Sequence, residues 1–310
     1  MTMPTGKRLG YAAWITVCLV WGTTYFAIRI ALETVPVSLL AGLRWLSAGV
    51  LLTALLPLLG HRFPKPQTWG GLLVLGLLMN VGGNGLVSWA QQFVPSGLAA
   101  VLVAMVPFWV VLVEFGAGGG ERMTAQKAAG LLVGFSGIVL LVWPEIRMGG
   151  ADGRAFLFGI LALQAACLSW ALGTSYTKRR TIEASPLAAS AVQMIFAGIV
   201  LTSVGAARGD FAALTFSMRS ASAMLYLVLV GSILGYTSYV YALKYLPVST
   251  VSLYAYINPI IAVLLGTLIL SEPFTLRIFL AAVLVFTGVA VVRFERPAPP
   301  TPAAEERQAA

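Results

Sequence analysis

Cys18-Leu-Val-Trp21 returns about 149 residues later as Cys167-Leu-Ser-Trp170, at matching places in two long apolar segments. The echo continues at almost the same offset. Ala48-Gly49 recurs as Ala197-Gly198. Phe93-Val-Pro95, with Pro107 beyond it, recurs as Tyr245-Leu-Pro247 with Pro259, and Phe135-Ser-Gly137 recurs as Phe286-Thr-Gly288. Each copy carries about five hydrophobic segments. Five is odd, so the second copy must enter the bilayer from the opposite face, giving two halves related by a pseudo-two-fold axis in the membrane plane. The expected fold is an all-α polytopic membrane protein of about ten transmembrane helices in two inverted five-helix repeats. Such inverted repeats bind substrate near the bilayer midplane, between the halves.

Composition agrees with this. Hydrophobic residues make up 59% of the chain and charged residues 10%, with a mean hydropathy of +0.89. Soluble domains carry about a quarter charged residues. The net charge of +9 resides at segment ends, without a basic patch interleaved with aromatics. It therefore points to loops facing anionic lipid and not to nucleic acid. Cys18 and Cys167, the two cysteines, fall at equivalent repeat positions inside apolar segments and read as small core residues.

The apolar stretches of the first half run at about 11–31, 36–59, 69–91, 95–117 and 125–143, most of them near the ~20 residues that cross the hydrocarbon core. Those of the second half run at about 155–176, 186–206, 221–243, 247–270 and 276–293. The first repeat thus spans 11–143 and the second 155–293, with a polar junction around Glu145 to Arg154. Residues 297–310, rich in Pro, Ala and Glu, read as a disordered cytoplasmic tail. With both termini inside, twelve Lys and Arg of the short loops are cytoplasmic and six are not, the direction of the positive-inside rule. The fifth and tenth segments carry few polar residues and are expected at the periphery, facing lipid or a second copy, in a monomer or homodimer.

Several motifs resemble one family. They are Trp21-Gly-Thr-Thr-Tyr-Phe-Ala-Ile-Arg29, Ala41-Gly-Leu-Arg44-Trp-Leu-Ser-Ala-Gly49, Gly83-Asn84-Gly85, Val94-Pro-Ser-Gly-Leu-Ala-Ala100 and Tyr254-Ala-Tyr-Ile-Asn-Pro259. In this order, over about residues 10 to 293, the chain resembles the drug/metabolite transporter superfamily. Its EamA branch is the best match, and the first half is particularly similar to YedA-like bacterial inner-membrane exporters. The resemblance implies ten helices, two EamA domains, an inner-membrane location and export of small metabolites.

Polar residues inside spans are costly and mark candidate paths. Asn80, Asn84 and Ser88 lie within about 80° on one helical face, opposite a second-half stripe of Ser232, Tyr236 and Tyr239. Amides would line one wall and phenols the other. Trp21 and Trp170, repeat partners at mid-span, either line a cavity or pack as core, with Thr24 and Thr174 one turn away. Arg44 lies some eight residues past Pro36, while its repeat partner is Gln193. It either anchors a substrate carboxylate or is structural, snorkelling outward or pairing with Glu33. Because the resemblance includes arginine at this place in members of differing substrate, the structural role is favoured. Ser252 and Tyr256 share a face of the ninth segment. Pro107 and Pro259, which each remove a backbone donor, are candidate hinges.

The expected function is a secondary transporter exporting small amphiphilic metabolites, amino acids or related compounds, by alternating access. No Asp or Glu lies securely at mid-span, Glu114 being nearest. Small multidrug exporters of the resembled superfamily depend on a glutamate in their first helix, absent here, so facilitated or exchange transport fits better than a proton-coupled multidrug exporter. A membrane-embedded enzyme is the competing class. It lacks a metal or cofactor motif, and His61, the only histidine, reads as a solvated loop residue. A membrane scaffold would need no polar stripe. No cofactor and no metal are expected.

Overall fold

The computed structural model describes residues 5–117, 123–148, 150–180 and 182–294, so the 297–310 tail lies outside the described residues. All of the regular structure described is helical. The first half holds α1 (Thr5–Ala31), α2 (Val37–Leu55), α3 (Pro66–Ala90), α4 (Ser96–Gly116) and α5 (Ala125–Met148). The second holds α6 (Ala151–Arg179), α7 (Pro186–Ala207), α8 (Met218–Tyr245), α9 (Tyr254–Ile269) and α10 (Leu276–Arg293). Among the described residues nine helices are long and apolar enough to span a membrane, and α9 is a shorter tenth. The protein is polytopic. Gly150, at φ 95°, turns the chain between the halves in a backbone region that side-chain-bearing residues rarely enter.

The inverted relation is visible in how equivalent helices meet. α2 and α7 pack along their lengths, and contacts step backward along α7 as they step forward along α2. A Cβ on Gly49 would stand 2.7 Å from Ile195 N, while one on Gly205 would stand 2.6 Å from Leu39 Cδ2. These helices are therefore antiparallel, as copies of one unit inserted from opposite sides must be. α5 and α10 pair in the same sense: Gly130 faces Val292 and Gly137 faces Ala281. Small residues let the backbones approach closely where apolar burial gives no drive inside lipid. The remaining helices cross over between halves. α1 of the first half packs on α8 and α9, and α6 of the second packs on α3 and α4.

Three features interrupt the regular spans. α3 and α8 each contain a π-helical stretch, Gly76–Gly85 and Leu227–Leu234, at equivalent repeat positions. The ninth segment is broken: a short helix, Val248–Val251, precedes α9. α4 is broken at Ala104 and Met105, so Pro107 opens the helix Val106–Gly116, where its missing N–H costs nothing, while Pro259 lies within α9. The fifth and tenth helices are peripheral on one face only. Leu132 and Leu276 are exposed, but Leu141, Ala281 and Val285 are fully buried in the largest core cluster.

Candidate functional site

A cavity of about 550 Å³ lies between the halves. Its walls come from α1, α2, α3, α4, α6, α8, α9 and α10, so neither repeat could form it alone. Most of the wall is apolar and aromatic. The polar side chains on it are few, and no Asp or Glu is among the described lining residues.

The two mid-span tryptophans lie on opposite sides, each seated on a glycine of the other half. Trp21 on α1 donates its indole N–H to Gly231 O at 3.2 Å and lies against Gly235. Trp170 on α6 lies against Gly83, where an added Cβ would stand 3.0 Å from Cε3. Gly83 lies near the end of one π-helical stretch and Gly235 directly follows the other. Both tryptophans therefore do two things at once, lining the cavity and packing the interface. Tyr236 presents its edge to Trp21 at 5.4 Å and to Trp45 at 6.3 Å.

The π-helical stretches decide which polar residues reach the cavity. Each extra residue in a turn rotates the remainder of the helix by about 100°, so a stripe drawn for an ideal α-helix breaks up. Asn84 reaches the cavity and donates Nδ2 to Met79 O at 3.1 Å, five residues back. Asn80 and Ser88 are instead buried outside the lining, with Ser88 Oγ donating to Asn84 O at 3.0 Å. Tyr236 lines the cavity, whereas Ser232 is buried beside it and Tyr239 stands behind Trp21 at 5.3 Å. Thr24 lines the cavity, its hydroxyl donating to Trp21 O at 2.7 Å. Thr174 does not. It points out of the molecule, with its hydroxyl on Trp170 O at 2.9 Å, because one turn past Trp170 the face of α6 has passed the interface.

Arg44 enters the cavity wall about two turns into α2, only 5% exposed. Its Nε donates to Ser232 Oγ at 3.1 Å across the halves, and its guanidinium lies 4.4 Å from the Trp45 ring. The expected pairing with Glu33 is not made: Glu33 is bound to Arg219 at 3.3 Å. Ser252 and Tyr256 line the other end of the cavity with Arg293, whose Nη2 donates to Ser252 Oγ at 2.7 Å. Pro107 and Pro259 also line it. Pro107 has no N–H to give Val103 O, Leu102 O accepts from Met105 N at 3.1 Å, and the Cys167 thiol approaches the two carbonyls at 3.9 and 3.6 Å.

Sequence reasoning does not assign Trp45, Tyr25, Tyr254, Asn258 or Arg293 to the cavity, though all line it. Tyr254 and Asn258 stand in a motif already singled out, and Trp45 is adjacent to Arg44. Arg293 reads from sequence as a loop cation, because a helix end gives no signal that its side chain folds back.

Glu114 stands apart from the cavity. Its carboxylate is held by Lys178 at 2.8 Å and Arg179 at 3.2 Å, tying the end of α4 to the end of α6. At the opposite end of α4, Glu272 accepts from Ser96 N at 2.8 Å, Ser96 Oγ at 2.9 Å and Gly97 N at 3.2 Å. Among the described residues no group of three or more His, Cys, Asp or Glu could hold a metal ion.

Residues 8–143 and 157–294 each match the EamA-like transporter family. The uncharacterized inner membrane transporter YedA of Escherichia coli strain K12 is 35% identical over 283 residues, covering 91% of this chain and 90% of YedA. The uncharacterized transporter YvbV of Bacillus subtilis is 27% identical, with 88% of each chain covered. A solved crystal structure superposes with a TM-score of 0.59 at 19% identity, over 94% of this chain and 98% of that one, a likeness of fold.

Proposed function

The chain belongs to the EamA-like transporter family, and we propose that it is an inner-membrane carrier of small amphiphilic metabolites, amino acids and their relatives among them. The observation that carries this is the cavity of about 550 Å³ built jointly by both repeats, with aromatic walls and a few directed polar groups. Small-molecule sites have this character, apolar over most of their surface and polar at a few points. Transport proceeds by rocking the halves about this cavity, since inverted repeats give two near-equivalent conformations. Movement is downhill or by exchange. Among the described residues no carboxylate lines the cavity, and Glu114 is committed to Lys178 and Arg179, which supports neither proton antiport nor a preference for cationic drugs. The Lys and Arg distribution supports both termini on the cytoplasmic side.

The test is export from cells. Untargeted profiling of medium from cells with and without overexpression should show at least one small amphiphile enriched, and purified protein in proteoliposomes should carry that compound. A reproducible absence of any such compound would overturn the reading.

A further inference from the structure

The carrier reading leaves the charge of the cargo open, and the cavity itself speaks to it. Arg44 is an ion in a place where ions are expensive: 5% exposed, two turns inside a spanning helix. A guanidinium has five N–H donors. Among the described residues one side-chain oxygen, Ser232 Oγ, accepts from it, and the face of Trp45 lies against it. Glu33, the carboxylate within sequence reach, is held by Arg219. Removing a counter-charge from a buried ion is strongly unfavourable, so such a group calls for an anion from elsewhere.

Among the described residues no anion lines the cavity. Among the described residues that line it, the charged ones are Arg44 and Arg293, both positive. A ligand bringing a carboxylate would meet the forked donor geometry that binds two oxygens at once. A ligand bringing an ammonium would meet like charge and, among the described lining residues, no carboxylate to receive it. Trp21, Trp45, Trp170 and Tyr236 offer faces and edges for a flat apolar body beside the charged end.

We infer that the cargo docks a carboxylate on Arg44 and that its other end is apolar and uncharged, an organic acid with no ammonium group. This rests on the carrier reading and narrows it, since an amino acid would then bind through its carboxylate, with its ammonium a hindrance.

Three probes of one skeleton separate the charges: 3-phenylpropionate (acid alone), phenylalanine (acid and ammonium) and phenethylamine (ammonium alone). Binding to the full-length protein in lipid nanodiscs is read by quenching of tryptophan fluorescence, three tryptophans lining the cavity. The acid should bind on the order of ten-fold tighter than phenylalanine, and the amine more weakly still. Arg44→Gln should abolish the preference for the acid, and Arg44→Lys should restore part of it. Wild-type ranking needs no variant to fold, so the inference falls if the amine binds as tightly as the acid, or if none of the three binds. Flux of the same probes into proteoliposomes keeps the two readings apart: carriage of the amine but not the acid would overturn the charge assignment and leave a carrier.

Discussion

Trp21 of the first half and Gly235 of the second stand so close that a Cβ at position 235 would overlap the indole Nε1. The repeat-equivalent pair, Trp170 and Gly83, is looser, with 3.0 Å to Cε3. The pseudo-symmetry is therefore real in topology and imperfect in distance. Gly235→Ala must displace Trp21, with its bond to Gly231 O, and overpacking of this kind costs about 1–3 kcal/mol. Thermal unfolding of purified protein should fall clearly for Gly235→Ala and less for Gly83→Ala. Equal effects would mean that the two tryptophan seats are equivalent.

Glu272 caps a helix that cannot cap itself. Pro95 precedes α4 and supplies no side-chain bond, so the first backbone N–H groups of α4 find their acceptor on the second half of the chain. This joins α4 to the region beyond α9 at one end of the cavity, where Gly97 also lies against Val263. Glu272→Gln keeps the shape but loses the charge, and bonds to a charged acceptor are worth about 1.5–3 kcal/mol together with their desolvation. If this contact closes that end, a cysteine placed at Asn84 should react faster with an impermeant thiol reagent in Glu272→Gln than in the parent. Unchanged labelling would make the contact structural alone.

Asn84 and Tyr236 reach the cavity while their stripe neighbours do not. Replacing a wall residue should cost transport more than folding. Asn84→Ala should lower flux at least several-fold with a melting temperature near that of the parent, its loss being one bond to Met79 O worth about 1 kcal/mol. Ser88→Ala, outside the cavity, should leave flux near normal. A Tyr236→Ala protein that transports normally would remove the wall assignment.

The repeat was legible because it is written in apolar runs and in glycines that must sit between backbones, and both are local in sequence. Asn84, Tyr236 and Trp21 were legible for a related reason, being polar or bulky where the bilayer tolerates neither. Asn80, Ser88 and Ser232 were misplaced because the stripe assumed an unbroken α-helical period, and the π-helical stretches of α3 and α8 change that period without a residue type that announces it. Arg44 was legible as an oddity, but its partner was not. Glu33 is near in sequence, whereas Ser232 is 188 residues away. Arg293 escaped for the same reason, since its contact with Ser252 depends on how α10 ends against the start of α9.

Glu114 bears on the proposed energetics of transport. It is the carboxylate nearest to a span interior, and at 5% exposure it would be a natural proton site if it stood alone. It does not: Lys178 and Arg179 pair with it at the end of α6, away from the cavity wall. Flux in proteoliposomes should therefore change little when a pH step is imposed, and Glu114→Gln should stay within about two-fold of the parent, as partly exposed ion pairs contribute little. A steep acceleration by the pH step, abolished by a proton ionophore and by Glu114→Gln, would establish proton antiport through this residue and overturn downhill or exchange transport.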